Sequence, residues 1–187
     1  KADERLIMTG STDLNNGLTG ITTTNNGNGG AVQNNGYVLN ILQGEFSNNT
    51  LSNDTGAVFG GAIYQINGEL NISNGVTFNG NSVKSRNQTY PGWEGADSAS
   101  GGAIYISGAD AVLNTTGTVT FSNNKALAIG ENDQSNGGAL YIESIKSAVF
   151  ENVNFTGNSS KTRGGAIYNG DTQLTINGKA VFEGNSS

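Results

Sequence analysis

Two short motifs alternate along this chain. Gly-Gly-Ala followed by an aliphatic residue occurs at Gly29–Val32, Gly60–Ile63, Gly101–Ile104, Gly137–Leu140 and Gly164–Ile167. Phe-x-x-Asn follows each of them, at Phe46–Asn49, Phe78–Asn81, Phe121–Asn124, Phe155–Asn158 and Phe182–Asn185. From the first glycine to the phenylalanine the separation stays at 17–20 residues, whereas from the asparagine to the next glycine pair it runs from 6 to 20. A fixed segment joined by variable connections is the mark of a solenoid, in which each repeat is one supersecondary unit that stacks on its neighbours. Function in such a chain belongs on stacked faces and in the connections, not in one sequestered pocket.

The fixed segment has an apolar period of two, which predicts strands. Ile63 is followed by Leu70 and Ile72, then Val76 and Phe78; Ile167 is followed by Leu174 and Ile176, then Ala180 and Phe182. The third repeat reads Ile104, Leu113 with Thr115, Val119 and Phe121, and the fourth Leu140, Val149, Val153 and Phe155; the first, Val32, Leu39, Ile41 and Phe46, slips by one residue. Three short strands per repeat, joined by Asn- and Gly-rich turns, cannot offset the entropy of ordering one unit alone and require stacking. The expected fold is all-β: a single-stranded parallel β-helix, right-handed as parallel crossovers are, with five regular coils. Residues 1–28 lack both motifs, but Leu14, Leu18, Ile21 and Thr22-Thr23-Thr24 suit an irregular N-terminal coil or partial cap.

On this reading the phenylalanines (Phe78, Phe121, Phe155 and Phe182 with Phe46) form an inward aromatic column, more core than contact surface. The asparagines (Asn81, Asn124, Asn158 and Asn185 with Asn49) suit a left-handed turn and can stack as an amide ladder. The paired glycines Gly60-Gly61, Gly101-Gly102, Gly137-Gly138 and Gly164-Gly165 allow a tight corner or close backbone approach. The single Pro, Pro91, falls in the longest connection, outside the strands, as a residue without a ladder donor must.

Composition narrows the chemistry. The net charge is −6 without a basic run, which argues against nucleic acid as partner. The chain has no Cys and no His, so thiolate chemistry, disulfides, Ser-His-Asp catalysis and histidine metal sites are excluded. No metal or cofactor is expected. Glu131, Asp133 and Glu143 read as solvated acids rather than a cation site. No apolar stretch approaches a membrane-spanning length, so no membrane insertion by this segment is expected. The last residues follow directly on a Phe-x-x-Asn, which reads as a piece of a longer solenoid, because a β-helix cut there leaves an open edge.

The paired motifs resemble those of the chlamydial polymorphic outer-membrane proteins, over residues 29–187. The resemblance implies the secreted passenger of an autotransporter, displayed at the bacterial outer surface or secreted, carried by a C-terminal β-barrel and attaching to host cells, with the two motifs themselves implicated. Many chlamydial members carry cysteines; this chain has none.

Two surfaces are candidates for partner binding. The first is the connection 82–100, which holds Tyr90-Pro91-Gly92-Trp93 with Lys84 and Arg86 close by; long connections on rigid scaffolds carry function, and Arg86, Tyr90 and Trp93 are of the types favoured at interface hot spots. Connections 50–59 and 125–136 are expected to leave the same corner. The second is the set Tyr64, Tyr105, Tyr141 and Tyr168, which alternation turns outward if the aliphatic residue before each points inward; the reverse, with Ala and Tyr inward, satisfies the same period. Such a column suits sugars or partner aromatics, or simple cross-strand packing. The expected function is a non-enzymatic surface adhesin whose partner is a host-cell surface protein or glycan, or another copy of itself. A self-associating or purely structural stalk is the alternative, and a polysaccharide-active β-helix enzyme a weaker one, because adjacent coils do not align carboxylates.

Overall fold

A computed structural model of the chain describes residues 5–24, 28–54, 56–85, 98–129 and 133–187. Among these residues every regular element is a strand, and the strands pair in parallel, turn upon turn, as a β-solenoid. Sheet A contains Leu6–Ile7, Val32–Asn35, Ile63–Ile66, Ile104–Ser107, Leu140–Glu143 and Ile167–Gly170. Sheet B contains Thr12–Leu14, Val38–Ile41, Glu69–Ile72, Val112–Thr115, Ser147–Phe150 and Leu174–Ile176. Sheet C contains Glu45–Ser47, Thr77–Asn79, Thr118–Ser122, Asn152–Thr156 and Ala180–Glu183. These are the three strands per turn that the apolar period announces. Glycine pairs lead into the last five strands of sheet A, and each motif phenylalanine lies on sheet C.

The variable connections are not simple loops. They build two further sheets, so a full turn has up to five strands. Sheet D contains Thr22–Thr24, Thr50–Asn53, Ser82–Ser85, Lys125–Ala128 and Ser159–Ser160; sheet E contains Val58–Phe59, Ser98–Ser100 and Gln134–Asn136. They enclose a small second core of Leu51, Val58, Val83, Ala99, Ala126 and Ala128, separate from the main one. With strands so short and core residues mostly small, no apolar alternation marks them in the sequence.

The phenylalanines stack in register. Ring centroids from Phe46 through Phe78, Phe121 and Phe155 to Phe182 are 5.0, 4.9, 5.0 and 5.0 Å apart, with neighbouring planes within 20°. The first four are fully buried, whereas Phe182 is 53% exposed: it has a stacked neighbour on one face only. Each such contact adds about 0.5–1.5 kcal/mol beyond the burial of apolar area.

The two motifs meet in space. The first glycine of each pair is left-handed, with φ between +65 and +80, a conformation that favours Gly. The second is confined by neighbouring backbone. A Cβ on Gly61 would lie 2.0 Å from the Gly102 carbonyl oxygen of the next turn and 2.8 Å from the Ser82 backbone; one on Gly102 would lie 2.0 Å from Gly138 O and 2.6 Å from Lys125 N. Ser82 and Lys125 directly follow the motif asparagines of the same turns. The start and end of the fixed segment therefore press together, closing sheets A, B and C into a three-sided loop with a waist. Sheets D and E form a smaller lobe beyond it.

At the waist the asparagine points inward. Asn81 Nδ2 donates to the Phe46 carbonyl at 2.8 Å and to Asn124 Oδ1 at 2.9 Å, while Asn81 Oδ1 accepts from Asn49 N at 3.2 Å and Asn49 Nδ2 at 2.9 Å. Asn124 and Asn158 repeat the pattern, so the expected amide ladder is present. The left-handed residue, however, is not this asparagine but the one before it: Asn48, Gly80, Asn123, Gly157 and Gly184 have φ of +54 to +66. Asn48 Oδ1 lies 2.7 Å from where a Gly80 Cβ would stand, and Asn123 Oδ1 2.8 Å from that of Gly157. An asparagine side chain in one turn thus covers the bare glycine of the next.

Residues 5–24 join the stack. Leu6 pairs with Val32, Thr12 with Leu39 and Thr22 with Thr50. Leu18–Ile21 stands where later turns have Phe-x-x-Asn: Thr19 bridges Ser47, Gly20 is left-handed, Asn49 Nδ2 donates to the Leu18 carbonyl, and Ile21 N donates to Asn49 Oδ1. The ladder therefore begins on a backbone amide.

Phe121→Ala removes a ring covered on both faces and is expected to cost about 3–5 kcal/mol, whereas Phe182→Ala costs clearly less; denaturant melts of both followed by circular dichroism check the order. Gly102→Ala drives a methyl group into two backbones and is expected to abolish the cooperative transition, while Gly10→Ala, with open space around it, leaves the transition unchanged.

Candidate functional site

On sheet A the residues alternate inward and outward. Ile63, Ile104 and Leu140 are buried, and Tyr64, Tyr105, Tyr141 and Tyr168 between or beside them are half-exposed. The four tyrosines lie in register, and their rings stack at 5.4, 4.9 and 4.8 Å with planes within 15°. Of the two orientations the alternation allows, the structure has Tyr outward.

The tyrosine column sits in the re-entrant angle between sheets A and E. Phe59, the last residue of its strand on sheet E, contacts Tyr105 at a centroid distance of 4.8 Å and 39°. In the sequence only the position of Phe59, directly before Gly60, points to the column. Because the tyrosine rings cover one another's faces, the column has no row of open aromatic faces for sugars to lie on. It presents ring edges and hydroxyl groups. Three of the four hydroxyls are engaged as well: Tyr64 bonds the Asn28 side chain, Tyr105 bonds Ser107, and Tyr141 donates to the Glu143 carboxylate. Burial is the main cause that raises the Tyr64, Tyr105 and Tyr141 phenols above their ordinary value; at Tyr141 the Glu143 hydrogen bond and its negative charge add to it.

The D–E lobe has one edge at which each turn passes from sheet D to sheet E. Asn53, Ser85 and Ala128 end adjacent strands of sheet D in mutual register. Val58, Ala99 and Ser135 are likewise aligned on sheet E. Connections 54–57, 86–97 and 129–133 therefore start and finish one above another. Arg86, Tyr90 and Trp93 lie outside the described residues. Among the described residues, no group of three or more Asp or Glu is placed to hold a metal ion.

A second amide ladder, on the outer face of sheet B, was also missed. Asn40 Nδ2 donates to Asp13 Oδ1 at 2.7 Å, Asn71 Nδ2 to Asn40 Oδ1 at 2.9 Å and Asn114 Nδ2 to Asn71 Oδ1 at 3.1 Å. Its signal is an Asn beside the sheet B leucine: Leu39-Asn40, Leu70-Asn71 and Leu113-Asn114.

A stack of parallel turns, all after the first pinched by a glycine pair and a laddered asparagine, defines the chain as a β-solenoid repeat region. Residues 75–107, 118–143 and 152–170 match the Chlamydia polymorphic membrane protein repeat, each stretch running from one Phe-x-x-Asn through the next Gly-Gly-Ala. The chain carries a repeat region similar to that of the chlamydial polymorphic membrane proteins. A relative from Chlamydia pneumoniae, probable outer membrane protein pmp20, is 28% identical over 204 residues, which cover 91% of this chain and 11% of that protein. No solved structure matches the chain. The repeat and the relative support an outer-membrane, cell-surface location for the region.

The phenol shifts carry a pH consequence. A group whose folded pKa lies above its unfolded value of 10.0 contributes stability below that pH and loses it as pH rises beyond it. The thermal midpoint is expected to fall above about pH 10, and to fall less in Tyr141→Phe; melts at fixed ionic strength over that range check both.

Proposed function

We propose that this region is a non-enzymatic adhesive module whose contact surface is the edge of the D–E lobe. The rigid three-sided lobe acts as the mast, and the strand ends that flank connections 54–57, 86–97 and 129–133 lie at the spacing of adjacent strands, so that the connections meet a host-cell surface protein or glycan. The observation that carries this reading is the register of Asn53, Ser85 and Ala128 on one sheet and Val58, Ala99 and Ser135 on the other. It aligns the ends of three successive connections. The middle one contains Arg86, Tyr90 and Trp93, residue types that dominate binding energy at interfaces.

The tyrosine column supports the module in a different way. With its ring faces stacked and the hydroxyls of Tyr64, Tyr105 and Tyr141 bonded, it stiffens the angle between the two lobes. The motif phenylalanines and ladder asparagines of the first four repeats, Phe46 to Asn158, act on attachment through folding, since they are buried.

Replacing residues 86–97 with a Gly-Ser linker is expected to abolish binding of the chain to cultured host cells at an unchanged melting temperature. Binding that survives this exchange, or is lost equally on Tyr105→Ala without any loss of stability, moves the contact surface to sheet A. Concentration-dependent dimerisation in sedimentation, lost with the same exchange, makes the partner a second copy.

A further inference from the structure

The stacked tyrosines draw their hydroxyl partners from two places. Tyr105 and Tyr141 use the outward residue two positions on, Ser107 and Glu143. Tyr64 has Ile66 at that position and uses Asn28 instead, the residue before the glycine pair one turn earlier. Phe59 also precedes a glycine pair, and it too reaches the tyrosine of the following turn, Tyr105. Both sources are aligned through the stack. Ile66, Ser107, Glu143 and Gly170 lie in register on sheet A. Phe59, Ser100 and Asn136 lie in register on sheet E, with Arg163 bridged to Asn136.

At Tyr168 neither source supplies a bond. Two positions on stands Gly170, which has no side chain to offer. A Cβ there would lie 3.3 Å from Tyr168 Cε1, 3.7 Å from its hydroxyl oxygen and 3.7 Å from Glu143 Cγ, so the bare glycine sits against both the phenol and the acid. The other source is Asn136, which precedes the glycine pair one turn earlier, as Asn28 does for Tyr64. Asn136 is 7% exposed, yet its Oδ1 is buried and accepts no hydrogen bond. Buried acceptors without a donor are few in folded proteins, and each calls for an explanation; a donor from outside the chain supplies one. Beside Asn136, about 4.8 Å away along the stack, the next position holds the exposed Arg163. Glu143 takes one phenol bond from Tyr141, and a carboxylate keeps further acceptor capacity beyond that.

We propose that the angle between sheets A and E, at Asn136 and Tyr168, binds one acidic N-acyl sugar residue, which carries both a carboxylate and an amide. The carboxylate pairs with the Arg163 guanidinium, whose planar fork matches it. The amide N–H donates to Asn136 Oδ1, and ring hydroxyls meet Tyr168 and the Glu143 carboxylate beside bare Gly170. Charge complementarity sets the orientation: Glu143 and the exposed Asp171 lie on the sheet A side, so the anionic group turns to the sheet E side. An apolar or aromatic ligand gains little here, because the ring faces of Tyr105 and Tyr141 are already stacked. The site is separate from the edge of the D–E lobe and does not depend on the adhesive reading.

The test titrates the chain with N-acetylneuraminate and follows binding by saturation-transfer NMR. N-acetylglucosamine, which lacks the carboxylate, and glucuronate, which lacks the amide, are the comparison probes. N-acetylneuraminate is expected to bind and each of the other two to bind about tenfold more weakly, as the loss of one strong hydrogen bond implies. Arg163→Gln and Asn136→Ala are each expected to weaken binding about tenfold. Asn136→Ala removes an acceptor that has no partner, so its melting temperature is expected not to fall, which separates a lost contact from a lost fold. Gly170→Ser offers Tyr168 the partner that Ser107 gives Tyr105, fills the space beside Glu143 and is expected to weaken binding without lowering the melting temperature. No binding of N-acetylneuraminate, equal binding of the three sugars, or unchanged affinity in Asn136→Ala overturns the proposal. If Asn136→Ala loses affinity and stability together, Gly170→Ser decides: reduced affinity at an unchanged melting temperature upholds the site, and any other result overturns it.

Discussion

Each turn of this solenoid closes through a backbone contact that leaves no room for a side chain. The second glycine of Gly-Gly-Ala lies under the glycine carbonyl of the next turn and against the residue after the motif asparagine. Everything else follows from that proximity. It returns the chain to its starting point after sheets A, B and C, so that every strand falls above its counterpart. It also leaves the asparagine amide in a dry position where only another amide and a backbone carbonyl can satisfy it. A buried amide without partners would cost about 1–3 kcal/mol. Here each one in the interior of the stack is bonded above and below, and that requirement fixes the register more strictly than apolar contacts alone.

The three columns divide this labour. The phenylalanines fill the larger lobe and hold the turns at one spacing. The asparagines lock the inner side of the waist. The tyrosines occupy the outer angle between sheets A and E, where Phe59 joins them. A partner seeking aromatic surface finds little on the tyrosine side, because stacking has already used the ring faces. The D–E lobe differs in kind: its core is made mostly of small residues, and its connections vary in length from turn to turn.

Most of the large lobe was legible in the sequence, because its signals are redundant. A period of two, a phenylalanine at a fixed offset and paired glycines all name the same three strands. The smaller lobe was not legible. Ala99, Ala126 and Ser135 face its interior, and none of these residue types announces burial. The left-handed residue was misplaced by one position because asparagine suits both a turn and a ladder; only the Asn and Gly interchange at Asn48, Gly80, Asn123 and Gly157 separates the two roles. The first turn was half-legible: Leu18–Ile21 performs the geometry of the motif with neither of its marker residues. Of the binding candidates, the tyrosines were correctly aligned, but stacking and bonded hydroxyl groups could not be read from spacing.

The waist separates what must stay constant from what is free to change. Because the large lobe is already shut where the chain leaves it, lengthening a connection in the small lobe adds only the entropy of a longer loop, about 0.6 kcal/mol for each doubling. The connection after Asn158 returns within six residues and the one after Asn81 takes twenty, yet both rejoin the stack in register. Exposed segments can therefore change by insertion, deletion or substitution over the same inherited column of turns.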